Sequence, residues 1–408
     1  MSEDHDVPSS PPPVLLTEPR EGVPDVVADD PGMSRVLDAL SDGAGPVAID
    51  AERASGFRYL PRAYLIQLRR QGSGTIMIDP TRFDDLHEVN RRLADTEWIL
   101  HAASQDLPCL ADVGMRPPQL FDTELAARLC GMERVGLAAL TERLLGYSLE
   151  KHHSAADWST RPLPQDWLKY AALDVELLID LRDRLAEELQ EQGKQDWAAE
   201  EFAALAASGP PAPRKEPWRR TSGIHRVRGA RALGRVRELW MARDELARDM
   251  DKAPSKIVPD QAIADAAISD PADVGALLKI PGFQRRHGRA NSARWLDALA
   301  RARQARSSDL PTVSPPQDGP PATHRWASRD PIAAARLKRT RQAVSELAEQ
   351  HQLPAENLIA PAAVRALTWQ PPTPLSQELV AEALTASGVR DWQIKITSGA
   401  LTEALADD

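Results

Sequence analysis

The stretch Val47-Ala48-Ile49-Asp50-Ala51-Glu52 decides how the rest of the chain is read. Pro46 opens it and three apolar residues follow, the pattern of a short buried strand. The strand then delivers two carboxylates separated by one residue. Alternation puts Asp50 and Glu52 on the same face, roughly 6.6 Å apart along the strand. Like charges beside a core repel and desolvate badly. The pair therefore reads either as a strand emerging into solvent or as two ligands of a shared divalent cation.

Around this stretch the pattern is rich in strands. Tyr64-Leu65-Ile66-Gln67-Leu68 and Thr75-Ile76-Met77-Ile78-Asp79 are expected as two more, joined by Gly72-Ser73-Gly74 as a hairpin turn, so 47–53, 64–68 and 75–79 form an antiparallel meander. Upstream, residues 32–41 read as a short helix closed by Gly43, and residues 1–30, Pro-rich and acidic, as a disordered tail. Downstream come a helix over 83–94, a strand over 97–103, a helix capped by Ser104 and running to about Asp112, and a short strand near Leu120-Phe121. Strands one to three followed by alternating helix and strand predict a mixed sheet with helices on its faces.

After about Pro164 the chain turns helical. Residues 207–217 and 306–327 are rich in Pro, Gly and Ser and read as linkers. The expected division is a unit over 31–206, a helical and basic unit over 218–305, and a last helical unit over 328–408. The chain of 408 residues has a net charge of -10, unevenly spread. Residues 1–210 carry net -17, residues 211–310 carry +9 from 21 Lys and Arg against 12 Asp and Glu, and residues 311–408 carry -2. A basic middle in an acidic chain fits a polyanion-binding module or a solvated Arg-rich helical surface. Arg285, Arg286 and Arg289, beside Ile280-Pro281-Gly282-Phe283, are the candidate phosphate contacts. No run of about 18 apolar residues is present and Met-Ser-Glu-Asp opens the chain, so neither a membrane span nor a secretory leader is expected. Two cysteines, Cys109 and Cys130, fit reduced core residues of a cytoplasmic protein better than a disulfide framework.

The helix expected from Pro164 carries an apolar stripe of Trp167, Leu177, Leu178, Leu181 and Leu185, and Tyr170 and Asp174 fall on it one turn apart. An acid there needs a partner: a salt bridge, a hydrogen bond from Tyr170, or a metal ion. Asp106 stands at a helix start, where an acid also serves as a simple cap. Asp122 is read as a cap and left out of the site. Lys151-His152-His153 could touch phosphate or be a solvated loop. Taken together, Asp50, Glu52, Asp106 and Asp174 are four carboxylates from three elements. Such oxygen ligands suit Mg²⁺ or Mn²⁺, not zinc, and two such ions about 4 Å apart serve displacement at phosphorus.

Three motifs resemble the ribonuclease D family, the DEDD-type 3′→5′ exonucleases with a tyrosine in the last motif. They are Val47 to Glu52 with Tyr64 to Leu68, His101-Ala102-Ala103-Ser104-Gln105-Asp106, and Asp157-Trp158-Ser159-Thr160-Arg161-Pro162 with Tyr170 to Asp174. The resemblance spans about residues 45–200. It implies an α/β ribonuclease H-like exonuclease domain, with Asp50, Glu52, Asp106 and Asp174 holding two metal ions and Tyr170 orienting the attacking water. Leu239 to Asp251, Pro254 to Asp260 and Leu278 to Phe283 resemble the HRDC domain found in helicases and ribonuclease D. Leu337 to Arg341 and Leu353 to Pro361 look like a second, weaker copy. The implied activity is metal-dependent 3′→5′ exoribonuclease action releasing 5′-monophosphates from structured RNA 3′ ends such as tRNA precursors. The rivals are a DNA exonuclease of the same superfamily and an inert nucleic-acid-binding or assembly protein. One departure is Arg53, where the family commonly has an aromatic or small residue that shapes the terminal-nucleotide pocket.

Overall fold

The computed structural model describes residues 12–149, 156–210, 212–314 and 319–406. The Lys151-His152-His153 loop lies outside them.

The meander forms as expected. Strands β1 (Val14–Leu16), β2 (Val26–Val27), β3 (Ala44–Arg53), β4 (Ala63–Gln71), β5 (Gly74–Ile78), β6 (Glu97–Leu100), β7 (Gln119–Asp122) and β8 (Tyr147–Leu149) follow in chain order. The main sheet runs β2-β5-β4-β3-β6-β7, and β1 pairs with β8 in a separate parallel ribbon. β3, β4 and β5 are antiparallel, whereas β3, β6 and β7 are parallel. The tight turn at Gly72-Ser73-Gly74 is made possible by left-handed φ values of 88° at Gly72 and 68° at Gly74.

Alternation sorts the two faces of this sheet. Asp50 lies opposite Gln67 and Glu52 opposite Leu65 across the β3–β4 pair, and Gln67 lies opposite Met77. Directly paired residues share a face. Leu65 and Met77 pack beneath Leu168, Ala171 and Ala172 of the Gln165–Glu176 helix. Ile66, Leu68 and Ile78 turn to the other side, toward Val36, Leu40, Val89 and Leu93. The two acids of β3 therefore sit on the face covered by the helix that carries Tyr170 and Asp174.

Several local expectations are corrected. The first 30 residues were read as tail, yet β1 pairs with β8 and β2 extends the main sheet. The single helix expected from Pro164 is two, Gln165–Glu176 and Leu178–Glu191, separated at Leu177, whose φ of -108° and ψ of 3° leave the helical region. The helix expected over 83–94 is a helical turn at Pro80–Arg82 followed by His87–Arg92.

Both downstream regions are helical and both touch the first unit. Residues 218–305 build a separate core around Trp218, Leu239, Phe283 and Trp295. They meet the loop after β3: the Ala253 N–H donates to the Phe57 carbonyl at 3.0 Å, and Asp251 accepts from the Tyr59 and Leu60 N–H groups at 3.2 Å each. The Tyr59 hydroxyl donates to Asp244 and Lys256 lies over the Phe57 ring. The last region instead shares the nuclease-side core. Trp392 stacks on Trp197 of the Gln195–Ala206 helix at 4.7 Å and 11° between planes. Lys194 donates to the Leu129 carbonyl at 2.8 Å and the Gln352 carbonyl at 3.3 Å, tying the two chain segments together. Gly131 sits so close that an added Cβ would lie 2.3 Å from the Gln352 oxygen. The segment after 305, expected as a linker, is held by Arg237 of the Ala230–Asp249 helix on Asp309 and by Arg219 of the Pro217–Arg220 turn on Thr312.

Candidate functional site

Carboxylate oxygens of Asp50, Glu52 and Asp174 all lie within 4.8 Å of one another. They come from β3 and the Gln165–Glu176 helix, brought together by the packing of that helix on the acid-bearing face. Glu52 is only 8% exposed. Burial raises all three carboxyls above their ordinary range: Asp50 to about 6, and Glu52 and Asp174 strongly, with the neighbouring acids adding to the burial cost. Tyr170 donates its hydroxyl proton to Asp174, and burial together with the Asp174 and Glu52 charges pushes the phenol up as well. Both readings of the helical pair thus meet in one place, a Tyr–Asp hydrogen bond within an acid cluster.

Asp106 was open to reading as a plain helix cap. It does precede the Leu107–Asp112 helix, but its side chain makes no capping hydrogen bond. Its carboxylate is 3.2 Å from the Arg53 guanidinium, and burial with the nearby Asp50 charge raises it to about 8. Asp106 stands outside the trio that shares the 4.8 Å space. The turn that carries it is held by Asp122, whose carboxylate accepts from the Ala102 and Ala103 N–H groups at 3.1 and 2.9 Å and from those of Glu124 and Leu125. Asp122 is therefore a cap, as expected, and also a brace for the turn, with Ala102 at a left-handed φ of 57°.

Three features escaped the sequence reading. Gln67 is fully buried opposite Asp50, and neither its Nε2 nor its Oε1 has a hydrogen-bond partner. An orphaned amide facing an acid cluster implies polar atoms beyond the chain itself. Its position two residues beyond Leu65 on an alternating strand was the available signal. Arg161 ties the Trp158 turn to the sheet, donating to Asp79 at 2.6 Å and to the Tyr64 carbonyl at 2.7 Å. Burial alone would raise Asp79, but Arg161 and Thr81 outweigh it and hold that carboxyl low. Trp158 is fully buried, its ring 5.4 Å from Trp167 and 6.5 Å from Tyr170, so it backs the helix that presents the phenol. The third feature is the Arg53–Asp106 pair itself.

The donor set is all oxygen, buried and mutually repulsive, which suits hard divalent cations. Four acids that repel in a low-dielectric site stay ionised together at neutral pH only with cations among them. The basic candidates lie elsewhere: Arg285, Arg286 and Arg289 are exposed around the Arg286–Ala290 helix in the middle region, and His287 there faces Lys252 at 3.3 Å.

Comparison with known proteins gives the family. Residues 25–190 match the family model described as 3'-5' exonuclease, residues 232–299 the HRDC domain, and residues 319–405 a model described as 3' to 5' exonuclease C-terminal domain. The last region, read from sequence as a second HRDC-like copy, thus matches a model of its own. Ribonuclease D of Gluconacetobacter diazotrophicus is 33% identical over 282 residues, covering 67% of this chain and 71% of that protein. A crystal structure of a protein from Bifidobacterium adolescentis superposes with a TM-score of 0.88 at 39% identity, covering 96% of this chain and 99% of that one. Escherichia coli RNase D, described as an exoribonuclease involved in structured RNA processing, shares the fold at a TM-score of 0.68 and 24% identity, over 93% of this chain and 98% of that one. The fold is a mixed α/β exonuclease domain followed by helical domains.

Proposed function

The chain belongs to the ribonuclease D family and is a hydrolytic 3′→5′ exoribonuclease, and we propose that Asp50, Glu52, Asp106 and Asp174 hold two divalent cations, Mg²⁺ or Mn²⁺, with Tyr170 orienting the attacking water. The observation that carries this reading is the convergence of the Asp50, Glu52 and Asp174 carboxylates within 4.8 Å. When bound, such cations activate water near neutral pH and stabilise charge on the attacking and leaving oxygens.

The chain's own residues do the rest. Glu52 and Asp174, raised by burial and then by the Asp50 charge, would hold the cations as ionised carboxylates. Tyr170 keeps its proton at working pH, so its hydroxyl acts as a hydrogen-bond group and not as a base. The orphaned Gln67 amide supplies a donor and an acceptor beside Asp50. Water is excluded on the helix side by Trp158, Trp167 and Leu168.

In this reading the substrate is an RNA 3′ end, including structured RNA such as tRNA precursors, and the product is a 5′-nucleoside monophosphate. The division into 31–206, 218–305 and 328–408, phosphate capture by Arg285, Arg286 and Arg289, and residence in the cytoplasm belong to the same proposal. The last is supported by two buried free thiols, Cys109 and Cys130. No helix among the described residues is long and apolar enough to cross a membrane.

The test is degradation of 3′- and 5′-labelled RNA and DNA by the full chain. With Mg²⁺ or Mn²⁺, mononucleotides should be released from RNA 3′ ends, and EDTA should abolish this. Tyr170→Phe should lower turnover with stability held within about 1 kcal/mol. Full activity in chelator, or a Tyr170→Phe enzyme that melts early yet turns over normally, defeats the assignment.

A further inference from the structure

Arg53 is the residue whose placement the two-cation reading does not use. Alternation alone would turn it away from Asp50 and Glu52. The pairing register slips at that point, with Glu52 opposite Leu65 but Arg53 opposite Ala63, and the guanidinium reaches Asp106 at 3.2 Å. A bulge beside a functional site is a common way to redirect a side chain. The loop that follows is held from the middle region by Asp251 and Asp244 through Tyr59 and Leu60.

Two observations bear on what this cation does. Asp106 is the one acid of the four that lies outside the 4.8 Å trio, and it is the one paired with Arg53. The Arg53 side chain is also 27% exposed while that of Asp106 is 8% exposed, so the guanidinium stands at the open side of the pair. An Arg fork carries five donors and suits phosphate oxygens. Charge balance points the same way. Four carboxylates and two divalent cations cancel, so Arg53 leaves the loaded site one positive charge in excess, matched by the single charge of one phosphodiester.

We propose that Arg53 is a substrate-positioning residue that holds Asp106 before cations bind and then turns to a non-bridging oxygen of the terminal phosphodiester. One cation must therefore displace Arg53 from Asp106, so this cation binds more weakly until RNA arrives to receive the guanidinium. RNA and the weaker cation then assist each other's binding, as linkage requires. The inference rests on the two-cation reading above.

The test uses the full chain and two readouts. The first is Mn²⁺ binding without RNA, followed by the electron paramagnetic resonance of free Mn²⁺. The wild type should show a stronger and a weaker event. In Arg53→Gln the weaker event should tighten about 10-fold or more, because a paired cation is worth roughly 1–3 pKa units to a carboxylate. The second is the affinity, in non-catalytic Ca²⁺, for an oligoribonucleotide whose terminal linkage is a neutral methylphosphonate. The wild type should lose affinity relative to the phosphodiester, and Arg53→Gln should lose about 10-fold less. Arg53→Lys keeps the charge without the fork and should fall between, which also guards against a Gln variant that fails to fold. A wild type that binds no Mn²⁺ overturns the cation site itself. A wild type with normal Mn²⁺ binding, but with either readout unmoved in both Arg53 variants, leaves the site standing and overturns the role of Arg53.

Discussion

Residues 218–305 meet the nuclease unit through polar groups, Asp251 on the Tyr59 and Leu60 N–H groups and Asp244 on the Tyr59 hydroxyl, while keeping a core of their own. Residues 319–406 meet it through Trp392 on Trp197, and from Val344 to Leu405 they share one continuous core with Leu129, Ala198 and Phe202. Net hydrogen bonds are worth about 0.5–1.5 kcal/mol each, whereas a buried Trp commits about 200 Å² of surface. The last region is therefore part of what keeps the nuclease folded. The middle region is an attachment at the rim of the site, and in the proposed reading the net +9 of residues 211–310, against -17 over residues 1–210, serves to gather polyanion.

Replacing Trp392 with Ala should separate the two most clearly. It removes a stacked, fully buried ring and should cost about 3–5 kcal/mol in chemical denaturation of the whole chain. A cost below about 1 kcal/mol would mean the last region is no more integral than the middle one. Charge is the next contrast. Changing Arg285, Arg286 and Arg289 together to Ala should lower the slope of log binding constant against log salt for long RNA by about 2, at about 0.7 per single-stranded phosphate contact. The matched change at exposed Arg329, Lys338 and Arg341 should leave that slope alone. Equal slopes in both sets would make the middle region's charge an ordinary solvated surface.

A third measurement follows stability against pH without metal. Folded Asp50 and Asp106 titrate near 6 and 8, above their ordinary 3.8, because burial favours the neutral form. The folded state then holds more protons than the unfolded one, so stability is fully present below about pH 4 from these groups and is lost as pH rises through 6 to 8. Between pH 5 and 8 the loss should grow steadily, and saturating Mg²⁺ should cancel it. It should appear in the transition of the shared nuclease core and leave the middle region's core untouched. The smallest effect belongs to the rim: Tyr59→Phe removes one hydroxyl from Asp244, which keeps Arg248 at 2.9 Å, and should cost about 1 kcal/mol by urea titration.

Much of this was legible from local patterns. Period-two alternation gave β3, β4 and β5 to within a few residues at each end, and placed Asp50 and Glu52 on one face. Spacing of four placed Tyr170 over Asp174. Long-range pairing was not legible. β1 and β8 are three residues each and lie some 130 residues apart, and a parallel pair of that kind has no turn sequence between its strands. The break at Leu177 carries neither Gly nor Pro, so the apolar stripe ran through it in the sequence and ends there in the fold. Arg53 was noticed as an odd residue, but its meeting with Asp106 depends on a register slip that alternation does not foresee. Asp106 and Asp122 look alike as acids at helix starts, and only side-chain geometry tells the one that caps from the one that does not.

The shared core also sets an order of events during synthesis. Trp197, on the Gln195–Ala206 helix, leaves the ribosome about 190 residues before Trp392, the ring that stacks on it. At roughly 5–20 residues per second, that interval is about 10–40 s. For that time the nuclease half has an apolar helix face with no lid, and Lys194 has only one of its two carbonyls to hold. The nascent chain should thus be a client for holding chaperones until Trp392 has been made, and its nuclease should ripen only when that distant ring arrives.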